Sequence, residues 1–349
     1  MLKAIVSPRR LLITGGAGFL GAHLANRFQG EGIQVRLLDP VGCPDWAREA
    51  GIEYVVGDTR DPAAVVAALE GVDVVVHAAF ASPRQSREVI QSVNVDGTRN
   101  VCAGALARET RRCILISSTI VSKPRRIHPV FQNSPLTRLD LYRASRVEAE
   151  AIGAEYESRG LPVAIVRPKT FVGPGRLSAF AVIFEWIRLG RPVPVLGSGR
   201  NRYQLLDVRD LAEGILLLEA TDVGGVFFFG ARDVRTVRED LQALLDHAQT
   251  GARLRFVPGR IARLALRGME LANMVPLSEW HHMCARGEDS VVDISRAERE
   301  LDWRPDRGNA RALVDAYEWY AAHSTTTAPG THPLPFAHRV LRALNGVFR

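Results

Sequence analysis

The sequence has few lysines, few cysteines and no long apolar run. Its 349 residues include 45 basic ones, yet only Lys3, Lys123 and Lys169 are lysines. The four cysteines are widely spaced without a CxxC pair, which argues against disulfides or a metal site and predicts reduced, packed thiols. No stretch approaches the roughly 18 apolar residues of a membrane-spanning helix, and the N-terminus shows no signal-peptide pattern. We therefore expect a cytoplasmic protein without a bound metal.

The formal net charge of +7 comes from arginines that are scattered along the chain. Nucleic-acid-binding proteins cluster basic residues with aromatic ones or carry a recognition module, and this sequence shows neither pattern. We expect no nucleic-acid partner. With 46% apolar residues, the chain is typical of a globular protein and long enough for one large domain and a smaller lobe.

Residues 11–21, LLITGGAGFLG, have the pattern of a buried strand that turns into a helix. Gly15, Gly18 and Gly21 lack the Cβ that would keep a ligand away from the backbone and the helix away from the strand. The N–H groups of the first helical turn, at Phe19 and Leu20, and the positive end of the helix dipole would face a phosphate. The segment therefore predicts a site for a dinucleotide pyrophosphate.

A second predicted strand, residues 34–38, ends in Asp39, 18 residues after Gly21. At that spacing a carboxylate can accept hydrogen bonds from both ribose hydroxyls of the adenosine half. Strands and helices continue to alternate after Asp39, as in a doubly wound parallel sheet.

Two further strand ends carry candidate cofactor contacts. Asp58 and Thr59 follow the strand 52–56, where Asp58 could cap the adenine amino group, although a turn residue is the commoner role for an isolated aspartate. Ala78 and Ala79 end the strand 72–79 with side chains small enough for a cofactor to lie across them.

Hydroxyl groups and a tyrosine occur near the next strand end. Ser118 and Thr119 follow the strand 113–117, at the edge where α/β proteins bind ligands. Tyr142 and Arg146 open the predicted helix 142–158 and share one face, because they are four residues apart. A nearby cation favours an ionised phenol, so Tyr142 could exchange a proton with a substrate hydroxyl; simple packing of the pair on the helix surface is the alternative.

These segments together resemble the extended short-chain dehydrogenase/reductase family, the epimerase/dehydratase group. That group includes nucleotide-sugar epimerases, dehydratases, ketoreductases and enzymes like 3β-hydroxysteroid dehydrogenase. The resemblance covers residues 10–323. Its motifs include TGGAGFLG at 14–21, NVDGT at 94–98, VRPKTFVGPG at 166–175 and LLDVRDLAEGI at 205–215.

The resemblance implies NAD as the cofactor, because Asp39 would repel the 2′-phosphate of NADP. It implies Tyr142 as the acid/base, with Ser118 or Thr119 on the reacting oxygen and Arg146 beside them. The cofactor contacts implied are Gly15, Gly18, Phe19, Leu20, Gly21, Asp39, Asp58, Thr59, Ala78, Ala79, Tyr142, Arg146, Pro168 and Thr170. The substrate contacts implied are Phe80, Ser118, Phe171, Arg176, Arg202 and Tyr203.

Two positions depart from the family pattern. The family's catalytic pair is Tyr-x-x-x-Lys, and Arg146 occupies the lysine position. Arginine keeps the charge, but its planar group cannot reproduce the contacts of an ammonium with the nicotinamide ribose. Lys123 or Lys169, both near the predicted site, could supply the amine. Tyr203, with Arg202 beside it, stands where nucleotide-sugar enzymes often carry a diphosphate-binding arginine.

We expect a Rossmann-type doubly wound parallel sheet with a smaller C-terminal α/β substrate lobe. The NAD-binding domain would be 1–175, with 205–230 returning to it, followed by the lobe at 176–323 and a linker and basic amphipathic tail at 324–349. Thr236 with Glu239, and Ser295 with Glu298, predict capping boxes at helix starts. The tail could dock on the body, pair with a second subunit in a homodimer, or make weak contact with an acidic membrane surface.

The function expected first is hydride transfer at a secondary alcohol or ketone of a nucleotide-linked sugar, as in an epimerase or reductase. A dehydratase would want an acid pair after the strand-end hydroxyl, and Thr119 and Ile120 provide none. One alternative is an oxidoreductase of a hydrophobic alcohol, similar to 3β-hydroxysteroid dehydrogenase. Another is a catalytically impaired NAD-binding protein, because of Arg146.

Overall fold

The computed structural model describes residues 10–122, 128–175, 180–271 and 279–324. Seven parallel strands form the main sheet: β1 (Arg10–Thr14), β2 (Gln34–Asp39), β3 (Glu53–Val56), β4 (Val74–His77), β5 (Arg112–Ile116), β6 (Val163–Pro168) and β10 (Gly225–Phe229). Their spatial order is β10-β6-β5-β4-β1-β2-β3. Two parallel pairs lie outside this sheet: β7 (Thr170–Val172) with β9 (Leu205–Asp207), and β8 (Val193–Leu196) with β11 (Leu254–Val257).

Helices connect and cover these strands. They are α1 (Phe19–Gly30), α2 (Asp45–Glu49), α3 (Pro62–Ala68), α4 (Arg87–Gln91), α5 (Gly97–Ala107), α6 (Leu141–Ser158), α7 (Phe180–Arg188), α8 (Val208–Glu219), α9 (Val237–Ala248), α10 (Gly259–Leu271), α11 (Glu279–Arg286), α12 (Ser295–Glu300) and α13 (Asn309–His323). A π-helical turn, Ser92–Asp96, joins α4 to α5, and a 3₁₀ turn, Thr119–Val121, follows β5.

Both faces of the main sheet are buried. On one face, residues such as Leu11 and Ile13 of β1 pack with α1 and α8, whereas Leu12 on the other face packs with α3 and α5. Parallel strands covered by helices on both faces need continuous apolar runs, which explains LLI at 11–13 and VVV at 74–76. The predicted Rossmann-type α/β fold is confirmed.

Strand order reverses between β1 and β4, since β1 pairs with β2 on one side and with β4 on the other. The carboxyl ends of these two strands therefore border the crevice where open α/β sheets bind ligands. The elements α7, β8, α9 and α13 build a separate apolar core beyond that edge, around Phe184, Leu244 and Tyr317. Strand β10 pairs with β6 in the main sheet, while the domain boundary at 175 stays a prediction.

One local prediction was wrong. Ser295 does not cap α12, since its hydroxyl donates to Asp293 and the helix begins at Ser295 itself. Both hydrogen bonds of the other capping box, between Thr236 and Glu239, are present.

Arg176, Lys123 and tail residues 325–349 lie outside the described residues. In the parts of the chain that the structure describes, no helix is both long and apolar enough to cross a bilayer.

Candidate active site

The glycine-rich turn between β1 and α1 is too tight for side chains. A Cβ on Gly21 would lie 2.5 Å from the carbonyl oxygen of Gly16. Gly15 has a φ of +70°, and a Cβ there would come within 2.9 Å of the Ala79 nitrogen. Helix α1 begins after Gly18, which has no side chain to cap the first N–H groups of the helix. These N–H groups and the positive end of the helix dipole lie at the crevice, where they favour an anion. This cradle fits a pyrophosphate, the central group of NAD.

Asp39 stands at the end of β2 beside that cradle. Its carboxylate accepts the Ala17 N–H at 3.2 Å and the Val41 N–H at 3.0 Å, which fixes its orientation. Burial raises the pKa of Asp39, and the charge of Asp58 on the neighbouring strand end adds to the effect. Asp58 itself is held by the guanidinium of Arg60, whose hydrogen bond lowers the pKa of Asp58. The two carboxylates lie at neighbouring strand ends; their contacts with the adenosine half of the cofactor stay a prediction.

A buried histidine, His77 at the end of β4, links the sheet to the helices. The Thr98 hydroxyl donates to the Asn94 carbonyl at 2.6 Å, so it must accept from Nε2 of His77 at 3.0 Å. Nδ1 of His77 then accepts from the Thr14 hydroxyl at 2.7 Å, which in turn accepts the Ala79 N–H. Burial and the charge of Arg146 lower the pKa of His77 to about 3, so the ring is neutral at physiological pH.

Asn94 extends this network towards the predicted catalytic helix. It is fully buried, and its amide oxygen accepts the Ala81 N–H at 2.8 Å while its nitrogen donates to Ser145 at 2.9 Å. The Ser145 hydroxyl donates to the carbonyl of Tyr142 at 2.9 Å. The network thus fixes the loop after β4 and the first turn of α6 relative to each other.

Tyr142 and Arg146 meet through a hydrogen bond, not only through packing. Nη2 of Arg146 donates to the Tyr142 hydroxyl at 2.7 Å, and Nη1 donates to the Ile116 carbonyl at 3.0 Å. The guanidinium carbon lies 3.6 Å from the ring centroid of Phe80, a close cation–π contact. These three contacts hold the Arg146 guanidinium against Tyr142, the end of β5 and the loop after β4.

Ser118 caps the 3₁₀ turn that follows β5, and Thr119 is the first residue of that turn. The Ser118 oxygen accepts the Ile120 N–H at 3.3 Å, a contact that does not use the hydroxyl proton of Ser118. Both side chains are half-buried. Beneath them, Ser117 donates to the buried carboxylate of Glu150, which forms a two-point ion pair with Arg167.

The segment after β6 forms another wall. Pro168 is buried, and Thr170 and Phe171 are half-buried. The rings of Phe171 and Phe19 stack with their centroids 6.1 Å apart and 6° between their planes. This contact places the segment beside the N-terminus of α1.

Tyr203 lies behind Thr170 and is 1% exposed. Its hydroxyl bonds to the Thr170 hydroxyl at 2.9 Å and donates to Glu279 at 3.4 Å, and burial keeps the pKa of Tyr203 far above its usual value. The amine of Lys169 donates to Ser290 at 2.7 Å, and burial lowers its pKa. The structure therefore does not support Lys169 as a substitute for the family's lysine, because its amine faces Ser290 and the Tyr203 ring.

The remaining predicted residues are placed as follows. The side chain of Thr59 is buried against the start of α5. Ala78, Ala79 and Phe80 are half-buried at the end of β4. Arg202 has an exposed side chain, and its guanidinium is held by Asp289 at 2.8 Å. Roles for all of these in binding stay predictions.

Sequence reasoning missed three features: the hub role of His77, the stacking of Arg146 on Phe80, and the ion pair of Glu150 with Arg167. The position of Phe80, directly after His77, Ala78 and Ala79, was the available signal for its stacking with Arg146. Nothing in the spacing of Glu150 and Arg167, 17 positions apart, signals their pairing.

The doubly wound parallel sheet and the glycine-rich cradle at its crevice are those of a dinucleotide-dependent enzyme of the oxidoreductase type. The model of the "NAD dependent epimerase/dehydratase family" matches residues 11–227. The chain belongs to this family, and its cofactor is NAD.

The proteins that are similar to this chain carry names with different substrates. The uncharacterized protein y4nG of Sinorhizobium fredii is 30% identical, with 95% of this chain and 85% of that protein covered. A 3-beta-hydroxysteroid dehydrogenase of Mycolicibacterium neoaurum is 26% identical, with 93% and 95% covered. The structure of dTDP-glucose 4,6-dehydratase from Streptomyces venezuelae, solved with NAD, is 25% identical, covers 92% of this chain and 99% of that one, and has a TM-score of 0.72.

Proposed function

We propose that this protein is an NAD-dependent oxidoreductase of a hydrophobic secondary alcohol or ketone. The observation that carries the proposal is the burial of Tyr203. At this position nucleotide-sugar enzymes often hold a diphosphate with arginine, whereas here a neutral phenol faces Thr170 and Glu279. The neighbouring Arg202 is exposed and tied to Asp289, and the amine of Lys169 is buried against Ser290.

The segment that leads into α6 and Tyr142 exposes three large apolar side chains. Phe131, Leu136 and Leu139 are 45%, 41% and 72% exposed. Leu136 pairs with Ser122, directly after the turn that carries Ser118. Exposed apolar residues grouped in this way are typical of binding surfaces for apolar ligands. The similarity to a 3-beta-hydroxysteroid dehydrogenase supports the same substrate class.

The chain's own residues account for the proton transfer. Tyr142, with Arg146 donating to its oxygen, would take the proton of the substrate hydroxyl in oxidation and return it in reduction. Ser118 would donate its unused hydroxyl proton to the substrate oxygen. When bound, NAD supplies the acceptor for the hydride that leaves the same carbon.

The test is turnover by the purified protein with two panels, one of steroid-like and other apolar secondary alcohols and one of nucleotide sugars. We expect net formation of reduced nicotinamide with apolar alcohols only. Tyr142→Phe should abolish turnover but keep NAD binding, which protein fluorescence reports separately.

Other results would replace this proposal. An altered sugar without net cofactor reduction would favour a nucleotide-sugar enzyme such as an epimerase, the second candidate. The similarity to a dTDP-glucose 4,6-dehydratase supports that substrate class. NAD binding without turnover on either panel would favour the non-catalytic binding protein. The homodimer and the cytoplasmic location remain parts of this proposal that gel filtration and cell fractionation would test.

A further inference from the structure

Helix α10 lies on the surface of the smaller lobe and has two different apolar faces. Ala262 and Leu266, four residues apart, are buried and pack with Ala285 of α11. The opposite side exposes 59% of Ile261 and 75% of Leu264, the most exposed large apolar side chain in the described parts of the chain. The inner face holds the helix on the protein, so the outer face needs another explanation.

The exposed face is a continuous stripe. Ile261, Leu264, Ala265 and Gly268 recur at intervals of three and four residues, which places them on one side of a helix. All four are exposed. We call these four residues the α10 stripe.

Arginines flank the α10 stripe. Arg260, Arg263 and Arg267 also recur at intervals of three and four residues and occupy the neighbouring side of α10. All three are exposed, although Arg263 also donates to the carbonyl of Ala285 at 3.3 Å. A helix with an exposed apolar stripe beside arginines can lie in the headgroup region of a bilayer, with its apolar side against the acyl chains.

We propose that the α10 stripe docks this protein on the surface of an anionic lipid bilayer. Charge argues against two other partners for the α10 stripe, a second copy of the chain and the chain's own tail. A second copy would bring the same arginines to the contact, and the two sets would repel each other. The tail, residues 336–349, carries Arg339, Arg342 and Arg349 and has no acidic residue, so its charge would oppose contact with these arginines. An anionic bilayer offers both an apolar interior and negative charge.

This proposal goes beyond the function proposed above and does not require it, because vesicle binding is measured without turnover. An apolar substrate dissolved in the bilayer would give such docking a purpose. A failure of docking would leave the turnover panels unaffected, and a failure of turnover would leave docking unaffected.

The test is co-sedimentation of the full-length protein with vesicles of phosphatidylcholine alone and of phosphatidylcholine with one quarter phosphatidylglycerol. We expect binding to the anionic vesicles that weakens as salt rises. The double variant Ile261→Gln, Leu264→Gln should bind roughly tenfold more weakly or worse, because two apolar side chains no longer enter the bilayer. Arg260→Gln with Arg267→Gln should weaken binding by roughly thirtyfold and flatten the salt dependence.

A matched control removes exposed apolar side chains elsewhere. Val56 and Leu189 are 64% and 43% exposed, and the double variant Val56→Gln, Leu189→Gln should bind vesicles like the unchanged protein. Thermal unfolding of every variant excludes misfolding as the cause. Absence of vesicle binding by the unchanged protein would overturn the proposal, as would equal binding by the α10 variants, which would assign binding to another segment. A dimer that dissociates only in the α10 variants would identify a second copy as the occupant and overturn it too.

Discussion

Replacing Arg146 by lysine restores the family's residue pair, and we nevertheless expect the variant to lose activity. Arg146 uses its planar group at three places at once: the Tyr142 hydroxyl, the Ile116 carbonyl and the face of Phe80. A lysine ammonium has no planar face to stack and cannot span both oxygens from the same backbone position.

The size of the loss follows from these contacts. A hydrogen bond that involves a charged group contributes about 1.5–3 kcal/mol, and a desolvated cation–π contact contributes about 2 kcal/mol. Lysine would keep one hydrogen bond and lose the other together with most of the stacking. Because only part of this difference acts on the transition state, we expect kcat/KM to fall at least about tenfold, which corresponds to about 1.4 kcal/mol.

The assay is a double-mutant cycle made of the unchanged protein, Arg146→Lys, Phe80→Leu and the variant with both changes. Both kcat/KM on an apolar alcohol and the free energy of unfolding in urea are measured for each. If the ring of Phe80 holds the guanidinium, Phe80→Leu should cost clearly more when residue 146 is arginine, with a coupling energy of about 1–2 kcal/mol. The unfolding measurement needs no substrate.

Two results would refute this reasoning. A higher kcat/KM in Arg146→Lys would show that arginine is a remnant of an eroded active site. Additive effects within about 0.5 kcal/mol would show that Phe80 and Arg146 act independently despite their contact.

Three other predictions concern the cofactor site and its support. Gly21→Ala should weaken NAD binding by more than about tenfold, because the new Cβ would lie 2.5 Å from a backbone oxygen. The control is Gly30→Ala in the same helix, whose Cβ would meet no atom within 4 Å and which should bind NAD normally. Equal NAD binding by both variants would contradict a role of the glycine-rich turn in holding the pyrophosphate. Asp39→Asn should shift the preference at least about tenfold from NAD towards NADP, because the charge that repels the 2′-phosphate is lost. The ratio of the two dissociation constants measures this shift, and an unchanged ratio would contradict the role of Asp39 in selecting NAD. Burial lowers the pKa of His77 from 6.5 to about 3, so the unfolded chain binds a proton at this residue before the folded one does, and stability falls as pH drops below 6.5. The free energy of unfolding in urea, taken as the unchanged protein minus His77→Gln, should therefore decrease by about 2 kcal/mol between pH 8 and pH 5. A difference that stays constant over this range would contradict a neutral buried ring.

The sequence by itself determined the elements that depend on local patterns. Apolar runs at 11–13 and 74–76 require strands buried on both faces. The spacing of Gly15, Gly18 and Gly21 specifies the tight turn before α1, and the distance from Gly21 to Asp39 specifies the next strand end. Thr236 and Glu239 specify a helix start, because both hydrogen bonds of a capping box lie within one turn.

Only the tertiary structure decided how distant side chains meet. Phe80 and Arg146 are 66 positions apart, and Tyr203 and Glu279 are 76 apart, so no local period connects the members of either pair. The prediction for Ser295 failed for the same reason. The local sequence is typical of a helix cap, but in the folded chain the Ser295 hydroxyl donates to Asp293 instead. Hydrogen-bond partners and burial depend on which surfaces the fold brings together, and this is why the orientation of Arg146 and the burial of Tyr203 became known only from the folded chain.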